Sequence, residues 1–202
     1  MSQSARTPQS SLVSPGTLVL LGMIAFTVVY RLVVHFSAGA LPWNFTPVEA
    51  TALFGGAYFA DRRLGIAIPL IAMIVADCVI AFTLPAPWVR DWLGTLPFVY
   101  FCIAMTAVGG FALRGKVSVP KVAIGAFASA VLFFVVTNFA TWLIARPGAG
   151  AACTGSLTAC YVAAVPFFRG TLAGTLFWSA VLFGGFALFS RRWTVLRLTA
   201  AH

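Results

Sequence analysis

Residues 64–84, LGIAIPLIAMIVADCVIAFTL, restrict the fold more than any other part of the chain. As an α-helix this stretch is about 31 Å long, roughly the thickness of the hydrocarbon core of a bilayer. Asp77 is its one formal charge, and Cys78 follows directly. A carboxylate at the centre of a membrane helix costs about 2.5–3.5 kcal/mol on insertion scales, so such a residue usually faces protein or water and has a function. The stretch therefore predicts a membrane-spanning helix with a functional acid and thiol near its end.

The composition of the whole chain agrees with a membrane protein. Of its 202 residues, 61% are hydrophobic and 8% are charged, whereas a soluble domain carries about 25% charged residues. The first 14 residues are polar and contain Arg6, which predicts a disordered tail. The first apolar run contains Arg31 and His35 before the small residues 38–40, so we expect it to be retained as a membrane helix and not cleaved as a signal peptide.

Six apolar runs predict an all-α integral membrane protein built as a bundle of six transmembrane helices. The runs cover residues 16–36, 47–60, 64–84, 96–113, 122–144 and 171–189. The second run is short, so it either begins earlier, around Trp43, or leaves part of the membrane thickness to an irregular segment. We expect the transmembrane domain to cover residues 15–190, between a disordered cytoplasmic tail at 1–14 and a basic cytoplasmic tail at 191–202.

The basic residues predict the orientation of the bundle. With the N-terminus inside, the inner segments contain Arg6, Arg62, Arg63, Arg114, Lys116, Lys121, Arg191, Arg192 and Arg197, and the outer segments contain Arg90, Arg146 and Arg169. This excess on one side follows the positive-inside rule, so both termini are expected in the cytoplasm. Because the same residues account for most of the net charge of +9, the charge gives no support to nucleic-acid binding. The predicted location is a membrane that the chain crosses several times, with the lipid bilayer as a partner.

The four cysteines have different predicted roles. Cys78 lies beside the intramembrane acid in the outer half of the third run. Its thiolate is a soft ligand for a transition metal. CxxC and HExxH spacings are absent from the sequence, so a structural zinc site is not indicated. One thiolate suits a metal that brings its other ligands, such as a corrinoid or a haem. Cys153 and Cys160, in the outer loop, form either a disulfide or two free thiols, and Cys102 is predicted to be a small apolar filler.

Further candidate substrate-binding residues are polar or aromatic side chains on the predicted outer side. Together with Asp77, they are His35, Glu49, Trp88, Asn138, Arg146, Tyr161 and Arg169. Each has an ordinary structural alternative: an interfacial anchor for His35, Trp88 and the arginines, a helix-dipole position for Glu49, and an interhelical hydrogen bond for Asn138. Small residues at helical spacing, such as Gly170 and Gly174, indicate close helix packing within the bundle or docking with a partner protein.

Several segments resemble a known family. They are Asn44-Phe45-Thr46-Pro47, residues 52–59 (ALFGGAYF), residues 133–139 (FFVVTNF) and residues 161–174 (YVAAVPFFRGTLAG). This pattern is similar to that of the six-helix S-components, the substrate-binding subunits of energy-coupling-factor vitamin transporters. Many of those proteins have Ser-Asp-Leu where this chain has Ala76-Asp77-Cys78. They also often have an acid where this chain has Thr175.

The cysteine is typical of the solitary cobalamin transporters within this group, the BtuM proteins. This resemblance implies an S-component-like fold and uptake of cobalamin (vitamin B12) or a related corrinoid as the cobalt-containing ligand. Cys78 would be the axial cobalt ligand, and an exchange of the other axial ligand is a possible chemical step. Asp77 would orient a neighbour or bind a corrin amide, and the loop 146–169 with Tyr161 would cover the site from outside.

Three other interpretations stay open at the level of sequence. The first is an S-component for another vitamin that depends on an ATP-driven energising module; an energising module or a periplasmic binding protein is also the expected protein partner of a cobalamin transporter. A different class is a membrane enzyme that uses Cys78 or Asp77, although no base lies near them in sequence. The third is a structural or assembly subunit, which the intramembrane acid and thiol disfavour.

Overall fold

A computed structural model describes residues 15–37, 39–84, 86–144, 153 and 156–192. These residues form six α-helices: α1 (Pro15–Phe36), α2 (Val48–Tyr58), α3 (Arg62–Ala81), α4 (Ala86–Phe111), α5 (Val119–Ile144) and α6 (Leu157–Arg192). The predicted all-α, six-helix architecture is confirmed. Helices α3, α5 and α6, and α4 from Trp92 onward, are long and apolar enough to cross a membrane; the described apolar part of α1, Gly22–Phe36, is shorter.

Helix α2 lies at the centre of the bundle. It packs against each of the other five helices, and all of its residues from Val48 to Ala57 are buried. On one side it contributes Leu53 and Phe54 to a cluster with Phe183 of α6. On the other side it contributes Val48 and Ala52 to a cluster with Met73, Ile103 and Ala107 of α3 and α4. The outer helices expose large apolar side chains such as Ile124, Phe127 and Leu188, as expected for surfaces that face lipid.

The chain before α2 is irregular. The second apolar run therefore does not begin as a helix around Trp43; an irregular segment precedes α2 instead. Asn44 adopts a left-handed backbone conformation with φ of 61°, which asparagine tolerates better than most residues. Backbone atoms of this segment touch α6 so closely that a Cβ atom at Gly170 would lie 1.9 Å from the carbonyl oxygen of Trp43. Non-helical backbone at membrane depth is tolerated where protein covers it, and here α6 provides that cover.

Two helices begin earlier than the sequence predicts. The interval 146–170 was expected to be an outer loop, but α6 already begins at Leu157 and passes through Pro166 and Arg169. Similarly, α4 begins at Ala86 and includes Trp88 and Trp92, which were expected in a loop. Both extensions consist mainly of residues that are compatible with a helix. When a helix is longer than the thickness of the bilayer, it tilts or extends beyond the membrane. Helix α6 also continues to Arg192, two residues into the segment predicted as a tail.

The helix ends fall into two groups at opposite ends of the bundle. At one end, the Arg114 guanidinium donates to the carbonyls of Gly56 and Phe59 at 2.9 and 2.7 Å, which joins the ends of α2 and α4. The rings of Tyr58 and Phe186 meet there at 4.3 Å, which adds the end of α6. At the other end, His35 of α1 meets Thr83, which directly follows α3. We call the end with Arg114 the basic end. We call the end with His35 and Thr83 the thiol end, because Cys78 lies near it.

Candidate functional site

The most polar contact inside the bundle joins α1, α3 and α4. Arg31 Nη2 and Asp77 Oδ1 form an ion pair at 2.5 Å, and Asp77 is 3% exposed. The hydroxyl of Tyr100 donates to the other oxygen, Asp77 Oδ2, at 2.9 Å. A buried carboxylate is tolerated when it is paired and its remaining lone pairs are hydrogen-bonded. Both conditions hold here, so this ion pair fixes the rotation of α3 about its own axis.

Sequence reasoning missed Arg31 as the partner of Asp77. Arg31 was predicted only as a residue within the first apolar run. A usable signal was present, because Arg31 and Asp77 lie five and four residues before the ends of α1 and α3. At 1.5 Å per residue, both are about 6–8 Å from the same end of the bundle. Equal depth on adjacent helices predicts pairing of opposite charges inside a membrane.

Glu49 lies in the first turn of α2 and is 4% exposed. Among the described residues, its Oε2 atom has no hydrogen-bond partner, and the same is true of Arg31 Nε. Two residues after Glu49, the hydroxyl of Thr51 lies 3.1 Å from that of Thr27 and joins α2 to α1. Glu49 is therefore a buried carboxyl in the interior of the bundle, at the start of α2.

Cys78 is a free and exposed cysteine. Consecutive residues of a helix point about 100° apart, so the buried Asp77 sends Cys78 to the outer face of α3. The other exposed side chains of this face are Ile74, Val75, Val79 and Phe82. The thiol thus lies within an apolar surface, and its role as a cobalt ligand stays a prediction.

His35 lies close to this surface at the thiol end. Its Nε2 atom is 3.0 Å from the hydroxyl of Thr83, and its ring meets that of Phe36 edge-on at 5.0 Å. Thr83 follows Cys78 by five residues, so this contact brings His35 to the same end of α3 as the thiol.

A second group of polar residues lines a small cavity between α5, α6 and the irregular segment. The cavity measures 190 Å³ and is lined by Asn44, Thr137, Asn138, Thr141, Thr171 and four phenylalanines. Asn138 Nδ2 donates to Phe134 O at 2.8 Å, and the hydroxyls of Thr137 and Thr171 donate to carbonyls of their own helices. Since the threonine hydroxyls and one N–H of Asn138 are already used, the cavity offers oxygen acceptors together with the amide N–H groups of Asn44 and Asn138 to a ligand.

The other sequence-predicted residues are not gathered with these. Tyr161 borders an open, largely apolar groove of 530 Å³ between α4 and α5, where its hydroxyl donates to Val135 O at 2.7 Å. Arg169 is exposed on α6. Arg146 and the side chain of Trp88 lie outside the described residues.

The remaining cysteines have structural environments. Cys153 and Cys160 form a disulfide next to the start of α6. Cys102 is buried in α4. Among the described residues, no three or more His, Cys, Asp or Glu side chains are grouped to hold a metal ion. This does not bear on a metal that would need one protein ligand.

Comparison with known proteins identifies a matching family of unknown function. A family model described as "Family of unknown function (DUF6580)" matches residues 12–196. No curated protein matches the chain, and no solved structure matches it either.

Proposed function

Because the chain belongs to DUF6580, a family of unknown function, its activity has to be inferred from its own residues, and we propose that it takes up cobalamin or a related corrinoid. In this proposal, the protein is a multi-pass transporter of the bacterial inner membrane with an S-component-like fold and cytoplasmic termini. It binds the corrinoid from the outer side, with Cys78 as the axial cobalt ligand. The family resemblance supports the substrate, and the setting of Cys78 supports the mode of binding.

The observation that carries the proposal is the free, exposed thiol of Cys78 on α3. Contacts in the interior of the bundle fix the orientation of this helix about its own axis. The Arg31–Asp77 ion pair and the Tyr100 hydrogen bond hold the inner face of α3, and Cys78 is exposed on the outer face. A corrin ring supplies four nitrogen ligands to cobalt and leaves an axial position for one soft ligand. The ring is large and flat, so the sulfur must be accessible from a broad face. A thiol on the surface of α3 meets that requirement, whereas the buried Cys102 does not.

Binding would proceed by ligand exchange at cobalt. The Cys78 thiolate donates an electron pair to cobalt, and the departing axial ligand leaves with its own pair, so the oxidation state of cobalt is unchanged. The thiol proton passes to water or to the departing ligand. The apolar side chains beside Cys78 would pack against the corrin, and His35 would bind its amide groups. An energising module or a periplasmic binding protein would complete the transport cycle.

The test is the visible absorption spectrum of the purified protein with cyanocobalamin. We expect bound corrinoid whose bands are shifted in the wild type and in Cys102→Ala, the matched control for a thiol in the same bundle. In Cys78→Ala the shift should disappear. Binding with an unshifted spectrum in the wild type would reject the cobalt–thiolate contact, and a protein that retains no corrinoid would reject the substrate.

The small polar cavity favours a second candidate function, an S-component for another vitamin. Its 190 Å³ lie below the range of about 300–1,000 Å³ that is typical of drug-sized ligands, so a corrinoid does not fit there. Its oxygen acceptors suit a small ligand that carries N–H or O–H donors. In this case Thr137→Val and Asn138→Leu would abolish vitamin binding, whereas Cys78→Ala would leave it unchanged.

A further inference from the structure

Two arginines share one aromatic ring at the basic end of the bundle. The guanidinium carbon of Arg62, the first residue of α3, lies 5.5 Å from the centre of the Phe111 ring, and that of Arg114 lies 4.8 Å from it. Together these distances place the two guanidinium carbons no more than about 10 Å apart. Like charges at this separation repel each other, so an anion beside the ring is attracted by both. We call Arg62, Phe111 and Arg114 the arginine cluster.

The two guanidiniums differ in how far the protein satisfies them. Arg114 donates to three backbone carbonyls at the end of α2, those of Gly56, Phe59 and Ala60. Arg62 is exposed, and within the described part of the chain its guanidinium has no hydrogen-bond or ion-pair partner. The neighbouring carboxylate of Asp61 accepts the backbone N–H of Arg63 instead. The N–H donors of Arg62 are therefore available to a ligand.

The arginine cluster lies at the depth of the lipid headgroups. Arg62 begins one candidate membrane span, and Phe111 ends another. The ends of such spans lie where the hydrocarbon core meets the polar headgroup region. Lys116, exposed in the turn after α4, adds a further positive charge at this level. The phosphate groups of the surrounding lipids are therefore the anions nearest to the cluster.

An apolar stripe leads from the arginine cluster toward the centre of the membrane. Its side chains on α4, Val108, Met105 and Phe101, are 41, 42 and 53% exposed, and their spacing of three and four residues places them on one face. Phe101 also lines the open apolar groove of 530 Å³ between α4 and α5. The ten residues from Phe101 to Phe111 span about 15 Å of helix, which is half the thickness of the hydrocarbon core. The α4 stripe thus has the length of one leaflet.

We propose that the basic end holds an acidic phospholipid, whose phosphate lies between Arg62 and Arg114 and whose acyl chain follows the α4 stripe. Guanidinium groups match the oxygens of a phosphate with paired N–H donors. The stripe favours a lipid over a soluble anion or a nucleic acid, because these carry no hydrocarbon to cover it. The bound lipid joins the ends of α3 and α4. This site goes beyond the proposed transport and does not depend on its substrate.

Thermal unfolding in detergent micelles that contain a defined lipid tests this site. Phosphatidylglycerol should raise the unfolding midpoint of the wild type more than phosphatidylcholine, whose phosphate is neutralised by its own cation. Arg62→Gln should weaken the apparent affinity for phosphatidylglycerol about tenfold or more, because hydrogen bonds between charged groups are lost. Arg63→Gln is the matched control, since it removes an equally exposed arginine next in sequence, and it should bind the lipid as the wild type does.

Two further ligands identify the source of the phosphate. Inorganic phosphate and dihexanoyl phosphatidylglycerol should each stabilise the wild type less than the long-chain lipid at the same concentration. If inorganic phosphate is as effective as the lipid, the site binds a free anion and the lipid proposal is overturned. A dihexanoyl lipid as effective as the long-chain one would overturn the role of the α4 stripe.

The remaining outcomes concern the arginine cluster itself. Equal stabilisation by phosphatidylcholine and phosphatidylglycerol overturns the proposal, and this comparison needs the wild type alone, so it stands even if Arg62→Gln fails to fold. Equal losses of affinity in Arg62→Gln and Arg63→Gln would indicate diffuse surface charge and would also overturn it. Failure to bind cyanocobalamin rejects the proposed function and leaves the lipid result standing.

Discussion

At the scale of single residues, the contacts of Asp77 determine which side chains of α3 are exposed on the surface of the bundle. Its carboxylate is bound by a cation and by a phenol, and since the next residue points about 100° away, Cys78 is exposed on the surface of the helix. The sequence identified Asp77 and Cys78 as a pair with different faces. It did not identify their surroundings, because Arg31 and Tyr100 are 46 and 23 residues away and such pairings depend on which helices are neighbours.

Replacing Tyr100 by Phe tests the hydrogen bond to Asp77. A hydrogen bond to a charged acceptor contributes about 1.5–3 kcal/mol, and one between neutral groups contributes about 0.5–1.5 kcal/mol. We therefore expect Tyr100→Phe to destabilise the protein more than Tyr161→Phe, whose hydroxyl binds a backbone carbonyl. Denaturant unfolding in detergent gives both values. Equal losses would indicate that Asp77 is neutral, or that the Tyr100 contact contributes nothing.

At the scale of the helices, close backbone contact determines how α2 is held. A Cβ atom at Gly110 would lie 2.4 Å from the carbonyl oxygen of Leu53, so α4 crosses α2 almost backbone to backbone. At Gly174 a Cβ atom would lie 3.0 Å from Phe45 Cα. The small residues noted in the sequence thus serve packing within the bundle. This contact explains why a helix as short as α2 is stable in the centre, because its polar backbone is covered on every side.

Neighbouring glycines of α4 provide a matched test of this crossing. Gly110→Ala forces the two backbones apart and should destabilise the fold by about 1–3 kcal/mol, as overpacking of a core does. Gly109→Ala meets nothing within 4 Å and should be neutral or stabilising by about 0.4–1 kcal/mol, because alanine restricts the unfolded chain. Thermal unfolding of the two variants in the same detergent measures the difference. A stable Gly110→Ala protein would contradict the observed contact between α2 and α4.

The helices also show where hydrophobicity was a reliable guide and where it failed. Long apolar runs located α1, α3 and α5 to within a few residues. The start of α6 was missed because Pro166 and Arg169 interrupt the apolar pattern, although both are compatible with a helix that extends beyond the membrane core. The short α2 was found, but its central position was not evident, since an apolar helix in a membrane protein is as compatible with a lipid-facing place as with a place inside the bundle.

At the scale of the whole molecule, charge and redox chemistry support the same orientation. Arg62, Arg114 and Lys116 lie in or beside the connections at the basic end, as the positive-inside rule expects of a cytoplasmic surface. The disulfide lies next to the connection between α5 and α6, and disulfides persist in oxidising compartments such as the bacterial periplasm. Two independent properties of the chain therefore favour a periplasmic thiol end.

Labelling of single cysteines with a membrane-impermeant maleimide tests this orientation. In a background with Cys78, Cys102, Cys153 and Cys160 replaced by serine, Phe82→Cys at the thiol end should be labelled in intact cells, because Phe82 is 92% exposed. Lys116→Cys at the basic end is the matched control and should be labelled only after the cells are opened. The reverse pattern would place the basic end outside. It would then contradict binding of a corrinoid from the periplasm, because Cys78 lies near the same end of α3 as Phe82 and would open toward the cytoplasm.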